Sequence, residues 1–380
     1  MMVLKIPLAF LNTFQNKKRT LTAIGGISFS LLLIFMQLGF LTSARITSGR
    51  IGSFFDYDLI LTSAAYESMD STGTFDKIRL VQARVVEGVQ DISTLNYARA
   101  WWRVPETNLQ VRSCMLIGFD LDPRFVPDRE TRENLPAILQ KDMVMLDRSS
   151  HPDYGEKRVG NNNATLNHLP VTINAFYELG ISFLADGSAL VNLDTYQRIT
   201  RADPRDVTFG LIKVAPGADV EKVRQNLQAK LPDDVLVFDR QKFIAAEQDY
   251  FINVKPIGIM FQTGAFVAFV VGAVILFQVL STEISNRFRE YATLKAVGFS
   301  RYYIYRVVGG QALLLTVISY MLALPLGYLV SFLAQKASRL PIYLPGKLVL
   351  VVFLMAVFMS AISGVLALQK VRKADPADLF

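Results

Sequence analysis

Residues 283–306 read EISNRFREYATLKAVGFSRYYIYR. The stretch lies between two long apolar segments and carries Arg287, Arg289, Lys295, Arg301 and Arg306 against only Glu283 and Glu290. A short basic connection between two apolar segments belongs on the cytoplasmic side of a membrane by the positive-inside rule. Its internal pattern is helix, break, helix. From Glu283 to Val297 the residues are mostly helix formers, with Ile284, Phe288, Tyr291, Leu294 and Lys295 at helical spacings. Gly298 suits the left-handed residue that ends a helix, and Ser300 suits the cap of the next. Such a knee can seat in a partner's socket. On composition alone it reads equally as a solvated basic turn that fixes topology.

Working outward, residues 257–282 form an uncharged run leading into the knee, and residues 307–333 form another leading out of it, with Pro325 and Gly327 as candidate kink positions. Residues 348–369 make a fourth apolar segment, followed by a basic tail at 370–380. Near the start, residues 20–42 are uncharged and long enough to span a bilayer, which takes roughly 20 residues. That length exceeds the apolar core of a signal peptide, so an uncleaved first span is expected. Residues 1–19 mix apolar Val3, Leu4, Ile6, Leu8, Phe10, Leu11 and Phe14 with Lys5 and the cluster Lys17-Lys18-Arg19, and predict an amphipathic helix on the inner membrane face. Gly25, Gly26, Ser28 and Ser30 give the first span a stripe of small residues suited to close helix contact. Gln37, a polar outlier in that span, suits an interhelical hydrogen bond. The spans contain no ionisable side chain, which argues against a proton- or ion-coupled carrier.

Residues 43–256 are different: polar, turn-rich and slightly acidic, with 25 Lys+Arg against 29 Asp+Glu. The chain's overall charge of +7 therefore sits beside the apolar spans, a membrane topology signal and not a nucleic-acid face. Strands are expected at Asp58–Leu61, Thr94–Arg103, Leu109–Phe119, Val207–Val214 and Val235–Phe238, with helices at Phe75–Val89 and Ala218–Leu231. These βαββ and βαβ pieces predict one α+β unit, and residues 122–205 read as a smaller lobe inserted into it. A polar helical stretch at Gln241–Asn253 precedes the second span; a helix continuous from there to the knee would form a rod. The expected fold is thus an α-helical membrane protein with four transmembrane helices and a large α+β domain between spans one and two.

Catalytic chemistry finds little support. His151 and His168 are the only histidines and have no metal-ligand spacing around them. Ser150-His151-Pro152-Asp153 is a local run, whereas triads are assembled from distant segments. Cys114 is the single cysteine, so no intrachain disulfide is possible. No GxxxxGK[ST] motif occurs, and Pro345-Gly346-Lys347 lacks both the upstream Gly and the Ser/Thr, so the chain cannot bind ATP by that route. Trp101-Trp102 on a strand places the two rings on opposite faces, one for the core and one free to be exposed.

Four features resemble the FtsX/MacB-like (type VII) permeases of ABC transporters. They are Asn16-Lys17-Lys18-Arg19-Thr20-Leu21 before the first span, the large domain after it, the string from Arg289 to Ser300 after the second span, and Asp375-Pro376-Ala377 at the tail. The Glu-x-x-x-Leu-Lys-Ala-x-Gly-x-Ser pattern from Glu290 to Ser300 is specific in this setting, and the arrangement looks most like the cyanobacterial DevC branch. The resemblance implies an inner-membrane, multi-pass homodimer with both termini cytoplasmic and the large domain periplasmic. It implies a separate cytoplasmic ABC ATPase dimer that binds ATP and Mg, so that this chain needs no cofactor of its own. Arg289, Glu290, Leu294, Lys295, Gly298, Phe299 and Ser300 would couple to that ATPase, and Gly25, Gly26 and Ser28 would serve the dimer interface. Through mechanotransmission the outer domain would act on a periplasmic membrane-fusion adaptor and, indirectly, a TolC-like outer-membrane channel; glycolipid is the export substrate that the DevC likeness implies. The alternative within the resemblance is an FtsX-like regulator that activates a periplasmic peptidoglycan hydrolase.

Overall fold

A computed structural model describes residues 15–104, 111–290, 293, 297 and 300–372. The chain divides into two compact units, one made of 1–43, 256–338 and 342–380, the other of 44–255 with 339–341.

The first unit is a bundle of helices Lys17–Ser48, Pro256–Asn286, Arg301–Ser338 and Gly346–Arg372, each with a stretch long and apolar enough to cross a membrane. Large apolar side chains such as Phe29, Phe266, Phe332 and Phe358 point away from the bundle's interior. An outward-facing apolar surface of this kind belongs in lipid. This is a multi-pass membrane protein. Inside, Ile27, Leu31, Phe35, Leu276, Ala312, Val352 and Met359 form one core. With lipid outside, association relies on close packing and interhelical hydrogen bonds. Ser28 Oγ donates to Ser319 O at 3.0 Å, Ser363 Oγ to Ala273 O at 2.8 Å, and Tyr320 OH to Val349 O at 2.8 Å. Gly272 sits where three spans meet: a Cβ there would lie 2.6 Å from Met359 Sδ.

The second unit is built on a nine-stranded sheet. In chain order the strands are β1 (Leu59–Ser63), β2 (Phe75–Asp76), β3 (Val89–Arg103), β4 (Val111–Phe119), β5 (Met143–Asp147), β6 (Asn161–Leu166), β7 (Leu169–Tyr177), β8 (Gly187–Asn192), β9 (Asp206–Val207), β10 (Phe209–Val214) and β11 (Val235–Asp239). The order is β11-β1-β10-β3-β4-β8-β5-β7-β6, with β2 and β9 paired separately. The antiparallel quartet β11-β1-β10-β3, with helices 78–84 and 220–230 as its crossovers, is a split βαβ arrangement. Those helices cover one face, around Leu61, Leu80, Ile212 and Leu227. Helix 240–253 packs on the other through Phe243, whose ring lies 5.7 Å from that of Phe209. Cover on both faces explains why every residue of β1 is buried.

The segment 122–205, expected as an inserted smaller lobe, shares the main sheet. Its strands β5 to β8 extend the main sheet from β4, and β6 returns to pair Trp102 with Leu166 on β3, closing a six-stranded ring. Strand β3 is long enough to serve both cores: Val89–Leu95 pairs with β10, and Leu95–Arg103 with β4. A lobe defined by chain position misses this, since its core also needs Ala100, Trp102 and Cys114 from outside the insertion. The helix expected at Phe75–Val89 covers only Ile78–Arg84. Asp76 Oδ1 accepts from Ile78 N at 2.9 Å at its start, and Gly88, at φ +90°, turns the chain after it.

The second span does not continue the helix before it. Helix 240–253 ends, and a new one starts at Pro256. Proline lacks the N–H that a continuing helix would need and disfavours helical geometry at Lys255. The first-span helix, by contrast, runs unbroken from Lys17 to Ser48, beyond the expected 20–42 at both ends, and the division between units falls within it after Ser43. Asn16 Oδ1 accepts from Arg19 N at 3.4 Å, a capping contact that starts this helix at Lys17. Of the amphipathic helix expected at 1–19, residues 1–14 lie outside the described residues.

Candidate functional site

The knee expected at 283–306 begins as an extension of the second span. Its helix runs to Asn286, and Arg287 N then bonds to both Glu283 O (3.1 Å) and Ile284 O (3.2 Å), a tightened turn before helix resumes at 288–290. Thr293 Oγ1 donates to Arg289 O at 2.9 Å and Val297 N to Thr293 O at 3.0 Å, both at helical spacing. Ser300 directly precedes the third helix, and its carbonyl accepts from Tyr303 N at 3.0 Å. Arg289, Glu290, Thr293, Val297 and Ser300 are all exposed. Leu294, Lys295, Gly298 and Phe299 lie outside the described residues. An exposed helical turn with a charged face is a surface a partner can grip.

What holds its root is a charge network that sequence reading does not reveal. Glu283 accepts from Arg287 Nε at 2.5 Å and pairs with Arg19 NH1 of the first span at 3.3 Å. Arg19 NH2 also donates to Val279 O at 2.7 Å. Arg287 reaches Glu290 at 3.2 Å and hydrogen-bonds Gln15. The Arg287 side chain is only 11% exposed. Burial works against its charge, but the Glu283 hydrogen bond and the two carboxylates outweigh that, holding its pKa above the usual value. One carboxylate thus ties the start of the first-span helix to the base of the knee. Arg19 and Glu283 are 264 residues apart, and only the tertiary fold brings them together.

The small residues of the first span face different surroundings. A Cβ on Gly26 would lie 3.2 Å from Ile275 Cγ2, and Ser28 is engaged with Ser319, both within this chain. Gly25 has nothing within 4 Å of where its Cβ would be, so its side is open. Gln37 packs against Gly264, where a Cβ would lie 2.6 Å from its Nε2.

The Ser150–Asp153 run does not assemble as a triad. His151 Nδ1 lies 3.3 Å from Asp153, whose carboxylate is held by Arg112 Nε at 2.9 Å. Ser150 Oγ is buried with no hydrogen-bond partner, so the nucleophile–base contact is not made. The Arg112 hydrogen bond keeps the Asp153 carboxyl below its usual range. Among the described residues no group of three or more His, Cys, Asp or Glu side chains is placed to hold a metal. The tryptophans divide as expected. Trp102 is fully buried, stacked on Tyr154 at 5.0 Å with Nε1 donating to Tyr154 O at 3.0 Å, while Trp101 is 53% exposed.

Residues 263–376 match the FtsX-like permease C-terminal family. That FtsX-like segment takes in most of the second span, the knee, the third and fourth spans and Pro376 of the tail. It supports the FtsX/MacB-like resemblance and a permease subunit of an ABC-type transporter. Among solved structures, the chain is similar to the extracellular domain of the noncanonic ABC-type transporter YknZ from Gram-positive bacteria (10% identity, 48% of this chain and 98% of that one, TM-score 0.33). It is also similar to the periplasmic region of MacB from Actinobacillus actinomycetemcomitans (8% identity, 49% and 90%, TM-score 0.35). Likenesses at these scores carry no weight beyond the fold already described from the strands. No curated protein matches the chain.

Proposed function

We propose that this chain is the membrane subunit of an ABC exporter, taking force from a separate ATPase at the knee and passing it to the unit formed by residues 44–255. The observation that carries the proposal is the knee: an exposed helical turn inside the FtsX-like segment, rooted through Glu283 in the first span. In this reading the basic knee, the N-terminus and the tail face the cytoplasm, as the positive-inside rule favours, and residues 44–255 face the other side. An ATPase pressing on Glu290–Ser300 moves the base of the second span. Glu283 passes that displacement to Arg19 and so to the first-span helix, which continues without a break to Ser48. The second span is a poorer rod because its helix is interrupted before Pro256.

The finer parts of the reading follow from the same resemblance. The subunit works as a homodimer, with the first span at its contact: the open side at Gly25 leaves room for a second copy, whereas Gly26 and Ser28 are already taken up by Ile275 and Ser319 of the same chain. The ATPase dimer supplies ATP and Mg binding. The outer unit engages a membrane-fusion adaptor and through it a TolC-like channel, with glycolipid as the DevC-like substrate. Replacing Glu290 and Gly298 together tests the core of this. Coupled transport and ATPase association should be lost while the outer unit stays folded; ATPase association that survives both changes would remove the knee from the mechanism.

A further inference from the structure

A cavity of about 600 Å³ opens at the same end of the bundle, between the start of the first span, the end of the second and the third. Its floor is apolar, from Val279, Leu280 and Leu315, and its rim is basic, from Lys17 and Lys18. Three features suit the cavity to a polar, negatively charged group. First, Gln311 lines the cavity at 2% exposure, with neither its amide oxygen nor its amide nitrogen hydrogen-bonded. An amide buried in that state is costly unless something meets it. Second, among the described residues no carboxylate pairs with Lys17 or Lys18, whereas Glu283 is neutralised between Arg19 and Arg287, and Glu290 is engaged by Arg287. Four cations and two carboxylates on the lining leave it net positive. Third, the positive end of a 32-residue helix lies on the rim; Asn16 caps the N–H of Arg19, and the N–H groups of Lys17 and Lys18 precede the first intrahelical bond.

We propose that this cavity binds the phosphate of an anionic phospholipid in the leaflet at the basic end of the bundle. Lys17, Lys18 and the helix end would hold the phosphate, the Gln311 amide would donate to its glycerol or phosphate oxygens, and the acyl chains would leave along the apolar floor. Basic pockets between spans are suited to such headgroups. A free phosphate satisfies the rim but leaves the half-buried Val279 uncovered beside the core residues Leu280 and Leu315, which is why the lipid is the source assigned. The site does not depend on a partner ATPase.

The test uses the full chain purified in mild detergent, with bound lipid counted by native mass spectrometry after exposure to mixed phosphatidylglycerol and phosphatidylcholine. Selective retention of phosphatidylglycerol is expected. Lys17→Gln/Lys18→Gln should lower that selectivity about tenfold or more, and Gln311→Leu about fivefold, while Lys370→Gln/Arg372→Gln should leave it unchanged. Gln311→Leu alters no charge, so its effect separates a built site from general attraction of acidic lipid. If Gln311→Leu melts no lower than the parent chain yet retains phosphatidylglycerol equally well, the amide belongs to the core and the site is refuted. Displacement of the lipid by excess inorganic phosphate would mark a soluble-anion site and overturn the lipid assignment.

Discussion

The Arg19–Glu283 pair can be isolated by a double-mutant cycle using Arg19→Gln, Glu283→Gln and the two together. Side-chain exposures of 23% and 20% place the pair between surface and core. Surface ion pairs contribute about 0.2–1 kcal/mol, whereas removing one member of a fully buried pair costs about 3–5 kcal/mol. Glu283→Gln takes the shared carboxylate from two guanidiniums, but Arg287 keeps Glu290 and Arg19 keeps Val279 O. The single change should therefore cost about 1–2 kcal/mol, with a coupling energy between Arg19 and Glu283 of about 0.5–1 kcal/mol. Sodium dodecyl sulfate titration of the purified chain, followed by far-ultraviolet circular dichroism, reads the helical bundle. Because the pair is partly buried, the coupling should persist at raised salt. Effects that add within about 0.3 kcal/mol would show that the pair does not join the first span to the knee.

The only two tryptophans are Trp101 and Trp102, so intrinsic fluorescence reads them alone; Trp101→Phe should leave a blue-shifted, quencher-shielded emission and Trp102→Phe a red-shifted, quenchable one, and the reverse order would place the wrong ring in the core. Trp102→Phe should also cost about 1–3 kcal/mol, through the lost hydrogen bond to Tyr154 O and poorer filling of the site. Burial raises the Glu247 carboxyl above its usual 4.5, even though Tyr66 OH and Met69 N donate to it. Its contribution to stability is full below about pH 4 and lost as pH rises through the raised value. Subtracting the denaturation profile of Glu247→Gln from the parent should expose that fall, and a difference that instead grows with pH would refute it. Gly272→Leu should collapse the bundle by driving its side chain into Ser30 and Met359, whereas Gly25→Leu should leave bundle stability within about 0.5 kcal/mol. If Gly25→Leu also leaves a dimer intact by light scattering, Gly25 is not in the dimer contact.

Much of the architecture was legible because membranes impose simple rules. Uncharged runs, basic flanks and a turn residue at Gly298 locate four spans and the knee from local chemistry alone. The split βαβ core was also readable, since Leu59, Leu61, Ile212 and Val237 stand in strands bounded by turn residues. The ring closure was not, because it depends on β6 pairing with the far end of β3, some 60 residues away, through Trp102 and Leu166. The root of the knee was hidden for the same reason. Glu283 and Arg19 each look like ordinary flanking charges, and nothing local says that they meet. Gln311 likewise reads as one polar residue among helix formers until burial shows that its amide lacks a partner. The second-span rod failed on a signal that was present: Lys255-Pro256 is an unfavourable place to continue a helix.

The central claim is that a separate ATPase grips the knee. Purifying the tagged chain from its native membrane in mild detergent, in parent form and with Glu290 and Gly298 replaced, measures this most directly. The account predicts a stoichiometric ABC-type ATPase with the parent chain, accompanied by a periplasmic adaptor, and loss of that ATPase from the variant while the outer unit stays folded. An ATPase found with a peptidoglycan hydrolase and no adaptor would favour the FtsX-like regulator over the exporter. An intact parent complex with no ATPase, or a variant that binds it as well as the parent, would contradict the account.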